Sequence, residues 1–181
     1  MMGATMLVLK KSVLLIIAIL SALVIMGFML PSHYKVERSI IINVSQQKLF
    51  PQIANLKNWQ NWGVLFKRNP NMTIEYSGQA GRVGMTSSWL SETQGGGEMQ
   101  IIVIEKNQRL IYSLNIRDSQ INSTGEIVLS KVEGGTKVVW MDYGDVGINP
   151  INRYFAFFMD YLVGSDYEMG LDNLKLVAEA S

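Results

Sequence analysis

The chain has no cysteine and a single histidine in 181 residues. Without cysteine there is no disulfide framework, no thiolate metal site and no thiol nucleophile, and the redox compartment is left open. His33, alone and close to the apolar N-terminal segment, supports neither a Ser-His-Asp arrangement nor a histidine-rich metal site, and reads as incidental. An excess of one charge is also missing: 16 Lys and Arg stand against 15 Asp and Glu, without the basic stripe that nucleic-acid binding needs. Gly95-Gly96-Gly97 has neither the following helix nor the lysine of a phosphate-binding loop, and reads as a hairpin turn. Asn-x-Ser/Thr triplets such as Asn71-Met72-Thr73 carry weight only in a eukaryotic secretory pathway, which the sequence does not establish.

The first 31 positions contain no acidic residue. From Ser12 to Leu30 the chain is free of charge, and as a helix this stretch spans about 28 Å, the thickness of a bilayer's hydrocarbon core. It exceeds the apolar region of a usual signal peptide and ends in Phe28-Met29-Leu30-Pro31 without a small-x-small cleavage site. The expected organisation is a short tail (1–11), a transmembrane helix (12–30) and one further domain (34–181). Lys10 and Lys11 favour a cytoplasmic N-terminus and an extracytoplasmic domain, although Lys35 and Arg38 flank the other side. Ala18 and Ala22 form a small-xxx-small pair that gives only weak support for helix pairing.

Beyond the anchor, Tyr34 to Val44 alternates apolar and polar residues and predicts a strand. Ser45 is the expected cap of a short helix carrying Leu49, Phe50, Ile53 and Ala54, with Pro51 predicting a kink or a late start. A second short turn, Leu56 to Trp62, brings Trp59 and Trp62 to one face. Six further strands are predicted: Met72–Ser77, Gly84–Leu90, Gly97–Lys106, Arg109–Ile116, Asn122–Lys131 and Thr136–Tyr143. Ser77-Gly78, Gly95-Gly96-Gly97, Asn107-Gln108 and Gly134-Gly135 punctuate them. After Asn149-Pro150, a long helix is expected from Ile151, Phe155, Phe158, Met159, Leu162, Leu171, Leu174 and Ala178, weakened or bent at Gly164 and Gly170.

This order, with Val36-Glu37-Arg38-Ser39-Ile40, Leu49-Phe50-Pro51, Leu56-Lys57-Asn58-Trp59, Tyr76-Ser77-Gly78, Gly134-Gly135-Thr136-Lys137-Val138 and Gly170-Leu171-Asp172-Asn173-Leu174-Lys175, resembles the START-like (SRPBCC) superfamily. Within it the sequence is similar to the polyketide cyclase/dehydrase and lipid transport branch, over about residues 35 to 178. The resemblance implies an α+β helix-grip fold: a seven-stranded curved antiparallel sheet wrapped around a long C-terminal helix, here preceded by one transmembrane helix, with a hydrophobic pocket between sheet and helix.

The candidate ligand-binding residues are Trp59, Trp62, Tyr76, Trp89, Tyr112, Trp140, Phe155, Phe158 and Met159, because aromatic and methionine side chains suit an irregular apolar ligand. The same residues would equally serve as packing between sheet and helix. Asp142 and Asp145 are the candidate acid/base pair, weighed against solvated groups at a strand end, and Asp160 and Asp166 read as the polar face of the last helix. The resulting expectation is a membrane-anchored, non-catalytic domain that binds a lipid or other hydrophobic small molecule, without cofactor, metal or nucleic acid. The alternatives are a polyketide cyclase/dehydrase-like enzyme using pocket carboxylates, and an adaptor with a protein partner.

Overall fold

The computed structural model describes residues 2–69, 71–91, 95–117 and 122–180. Helix α1 runs Met2–Met29 and contains a stretch, Leu9–Met29, that is apolar apart from Lys10 and Lys11 and long enough to cross a bilayer; a signal sequence meets the same criterion. The helix itself begins at Met2, ahead of the charge-free segment Ser12–Leu30.

Seven strands follow in one antiparallel sheet: β1 (His33–Ile42), β2 (Thr73–Ser77), β3 (Thr86–Ser91), β4 (Gly95–Glu105), β5 (Arg109–Ile116), β6 (Asn122–Val132) and β7 (Gly135–Asp145). Their spatial order is β1-β7-β6-β5-β4-β3-β2, so the strand that leaves α1 pairs with the last strand in the chain. A register shift between Ile101 and Val103 adds an irregularity in β4. Two boundaries differ from the sequence pattern. Gly95-Gly96-Gly97 is not the turn but the start of β4, opposite Ser91, Leu90 and Trp89. β3 begins after Gly84, whose positive φ of 87° fits a turn.

Helix α2 (Gln46–Ala54) starts directly after Ser45, whose hydroxyl accepts the Lys48 N–H, and it continues through Pro51 instead of starting late. Burial of Leu49, Phe50, Ile53 and Ala54 on one face offsets the bond that proline cannot donate. A 3-10 helix (Leu56–Asn61) and helix α3 (Val64–Arg68) complete this connection. The Trp59 and Trp62 indoles donate to the Ile53 and Gln52 carbonyls at 2.8 and 3.1 Å, satisfying acceptors at the end of α2 that have no partner within the helix.

Helix α4 (Pro150–Ala180) lies along the sheet and buries Ala156, Gly164, Gly170, Leu171, Leu174 and Ala178. It is continuous through both glycines, which provide room rather than a break. A Cβ on Gly170 would come within 2.8 Å of the Trp140 ring, and one on Gly164 within 2.0 Å of the Arg38 guanidinium. Arg38 in turn donates to Asp160 (2.7 Å) and Glu168 (2.6 Å), clamping α4 to β1. This is the helix-grip architecture.

Candidate functional site

A cavity of about 380 Å³ lies between the concave face of the sheet, α3 and α4. The strand register fixes where it sits. Tyr34, Gly144, Ser123, Leu114 and Met99 follow one another across β1, β7, β6, β5 and β4 as one lateral row, and four of these five residues line the cavity. One side of that row is the sheet end where β1 starts, immediately after α1; on the other side come Asp142 and Tyr112, and then Trp140. The cavity therefore occupies the end of the sheet nearest α1.

Three aromatic residues of its wall each face a glycine on the neighbouring strand: Tyr34 opposite Gly144, Trp89 opposite Gly97 and Tyr112 opposite Gly125. The absent side chains leave space for the rings. A Cβ at Gly125 would lie 1.9 Å from Cζ of Tyr112, and one at Gly97 2.3 Å from the Trp89 indole. The Trp140 Nε1–H then donates to the Tyr112 hydroxyl at 2.9 Å, and Trp59 meets Tyr112 and Trp140 edge-on at centroid distances of 5.3 and 5.7 Å.

A buried carboxylate projects into this apolar wall from the sheet. Asp142, only 4% exposed, accepts hydrogen bonds from the Tyr34 hydroxyl (3.2 Å) and the Ser123 hydroxyl (3.0 Å), and the Tyr167 phenol of α4 lies near enough to favour its charged form. Burial pushes its pKa up to about 6, because the hydroxyl donors recover only part of the lost hydration. The Tyr34, Tyr112 and Tyr167 phenols are raised by burial first and by the nearby Asp142 charge. At neutral pH the cluster is thus mostly a carboxylate surrounded by neutral hydroxyls, and it takes up a proton in mildly acidic solution. Asp142 shares the inward face of β7 with Trp140 and Val138, two and four residues earlier. Asp145, three residues on, falls on the other face, where it accepts the Gly147 N–H at 2.8 Å and pairs with exposed His33 at 3.4 Å. The two aspartates therefore form no acid/base pair, and Asp142 is not a solvated strand-end group.

On the helical side, Val64, Leu65 and Phe66 of α3 and Met159 and Val163 of α4 close the cavity. Arg68 and Asp166 make a two-pronged ion pair across it at 2.6 and 2.7 Å, both partly exposed. Among the described residues no group of three or more His, Asp or Glu could hold a metal.

Of the nine residues singled out from sequence, Trp59, Trp89, Tyr112, Trp140 and Met159 line this cavity. Trp62 is fully buried behind Trp59 with its ring 4.4 Å away, and Tyr76 sits on β2, its hydroxyl accepting from Gln60 at 2.8 Å. Phe155 and Phe158 point away from it and are 53% and 49% exposed. Tyr34, Ser123, Asp142 and Tyr167 were absent from that set. The two-residue repeat that pairs Asp142 with Trp140 and Tyr34 with Val36 was the available signal.

The family model described as polyketide cyclase / dehydrase and lipid transport matches residues 33–179. The chain belongs to this family. Solved structures agree on the fold. A protein of Rhizobium leguminosarum is 21% identical with a TM-score of 0.60, covering 82% of this chain and 96% of that one. A protein of Rhodobacter sphaeroides is 20% identical with a TM-score of 0.60, over 81% and 93%. CalU16 of Micromonospora echinospora is 17% identical with a TM-score of 0.53, over 81% and 75%. At these identities the likeness concerns the fold alone. No curated protein sequence matches the chain. In this member of the polyketide cyclase / dehydrase and lipid transport family, the apolar helix α1 stands in front of the matched region.

Proposed function

We propose that the protein is a membrane-tethered binding module for an amphipathic small molecule or lipid, whose apolar part fills the cavity and whose polar group meets Asp142, Tyr34 and Ser123. The observation that carries this reading is the composition of the cavity: about 380 Å³ of mostly apolar wall with one buried carboxylate-hydroxyl cluster. The volume falls within the range of small-molecule sites, and a few placed polar groups in an apolar cleft give orientation and specificity. α1 supports the tether, since its flanks offer apolar surface on every side and almost none of it is buried. Lys10 and Lys11 favour a cytoplasmic N-terminus. The test is native mass spectrometry and organic extraction of the full-length protein purified in mild detergent. A stoichiometric lipid or isoprenoid is expected; protein that is empty and takes up no member of a lipid panel would overturn the reading.

A second reading rests on Asp142 itself. A carboxylate with its pKa pushed up to about 6, beside hydroxyls in a water-poor cleft, has the protonation behaviour of a general acid or base. On that reading Asp142 moves a proton on a bound polyketide-like substrate, and Asp142→Asn abolishes turnover while ligand uptake persists. Uptake without any chemical change in the extracted ligand supports the first reading over this one.

A further inference from the structure

The first three turns of α4 present two different faces. Ala156, Met159 and Val163 face β1 or the cavity, whereas Ile151, Phe155, Phe158 and Leu162 recur at i, i+4, i+7 and i+11 on the outer side, between 49% and 63% exposed. Tyr154 and Tyr161 flank this stripe, and together these six residues form a shallow apolar groove. The two charges in the same turns are directed elsewhere. Asp160 binds Arg38, and Arg153 donates to the Phe28 and Leu30 carbonyls at 2.7 and 3.1 Å, where α1 ends. Scattered exposed apolar residues need no explanation, but a contiguous, charge-free aromatic stripe does.

Its neighbour identifies its environment. Gly27 of α1 packs on Pro150 and Tyr154, and the Tyr154 hydroxyl donates to the Leu23 carbonyl at 2.7 Å, one turn further back along the apolar stretch Leu9–Met29. The stripe thus begins beside the last turns of α1. Whatever covers it must also surround a helix that is apolar on all sides, and a bilayer does both with one continuous phase. We infer that the outer face of α4, from Ile151 to Leu162, lies in the interfacial layer of the membrane as a second contact beside α1. Phenylalanine, leucine and isoleucine face the acyl chains there, and the Tyr161 phenol reaches the headgroups, as in helices that lie in the plane of a membrane surface. Met159 and Val163 belong to the same turns as Phe158 and Leu162, so one helix width, about 10–12 Å, separates the ligand cavity from lipid.

This inference rests on reading α1 as a tether, and the test separates the two. Because the chain has no cysteine, single cysteines can carry a nitroxide label without any background removal. Phe158→Cys and Leu162→Cys sample the stripe, Ile17→Cys samples α1, and Lys131→Cys samples the exposed far end of β6. The full-length variants are reconstituted in vesicles of phosphatidylcholine and phosphatidylglycerol, and relaxation by dissolved oxygen is compared with relaxation by a water-soluble nickel chelate. Oxygen is expected to dominate at positions 17, 158 and 162, and nickel at 131. Nickel dominating at 158 and 162 while oxygen dominates at 17 overturns the inference and leaves the tether standing. Nickel dominating at 17 removes the tether and the inference with it. Low accessibility to both reagents at 158 that rises on dilution with lipid means that a second copy covers the stripe, which also overturns it.

Discussion

Tyr112 lies across the β5–β6 ladder from Gly125, and its ring occupies the space that any larger residue at position 125 would fill. The Tyr112 hydroxyl, 1% exposed as a residue, is thereby held where it accepts the Trp140 indole proton. Two of the aromatic walls of the cavity are fixed by one missing methyl group. Gly125→Ala should force the ring out of place and destabilise the fold by about 1–3 kcal/mol, the usual cost of overpacking a core. Tyr112→Phe keeps the ring and removes the acceptor, leaving the Trp140 N–H buried without a partner at a cost of about 1–3 kcal/mol. Chemical denaturation in micelles, with tryptophan fluorescence as the signal, measures both. A Gly125→Ala protein as stable as wild type would mean that Tyr112 can leave the cavity freely.

Asp142 should make stability depend on pH in an unusual direction. Its pKa rises from 3.8 in an exposed reference to about 6 in the fold, so the folded state holds a proton where the unfolded chain has released it. More protons bound in the folded state means that stability falls as pH rises from about 4 to about 6, and then levels off. Two pKa units correspond to a loss on the order of 3 kcal/mol. Asp142→Asn cannot titrate and should flatten this part of the curve. At pH 8 its gain over wild type should be smaller than the full amount, because an amide N–H then faces the Tyr34 or Ser123 donor. Melting temperatures from pH 4 to pH 8 test this, and equal slopes in the two proteins would show that Asp142 is not the group responsible.

The order of elements was legible in the sequence because each has its own period: seven alternating strands, a capped short helix and one long helix. The nine candidate residues were chosen by side-chain type, and type separates cavity from core poorly. Trp62 and Trp59 are both large, apolar and buried, and only the docking of the 3-10 helix on α2 decides which one reaches the cavity. Phe155 and Phe158 were misleading for another reason: α4 carries two apolar stripes, and helical spacing alone does not say which one meets the sheet. The polar end of the cavity was hidden by the expectation that a late aspartate on a strand is solvated. Counting two residues forward from Trp140 would have set Asp142 on the inward face.

Arg68 and Asp166 join α3 to α4 across the cavity, and both remain partly exposed. A pair so open to water contributes about 0–1 kcal/mol, so Arg68→Ala should leave the melting temperature nearly unchanged. Its effect belongs to kinetics. Without the two-pronged link, α3 and α4 can separate more easily, and the association and dissociation rates of an apolar fluorescent probe should both rise while its affinity moves little. Stopped-flow mixing with such a probe measures the rates. Unchanged rates would mean that ligand enters elsewhere along the cavity.

Val163 projects from α4 into the cavity, whereas Phe155, two turns earlier, is turned outward. Val163→Trp should place an indole where the ligand lies, lowering probe affinity at least about tenfold, equivalent to about 1.4 kcal/mol. Because the indole fills empty volume and not packed core, the melting temperature should hold or rise slightly. Phe155→Ser removes an aromatic ring of comparable size outside the cavity and should leave probe affinity in micelles unchanged. The contrast between the two variants carries the information: a general loosening of α4 would weaken binding in both, whereas occupancy of the cavity weakens it only in Val163→Trp. If Phe155→Ser lost binding and Val163→Trp kept it, the ligand site would lie on the outer groove of α4, and the cavity would be an unfilled part of the core.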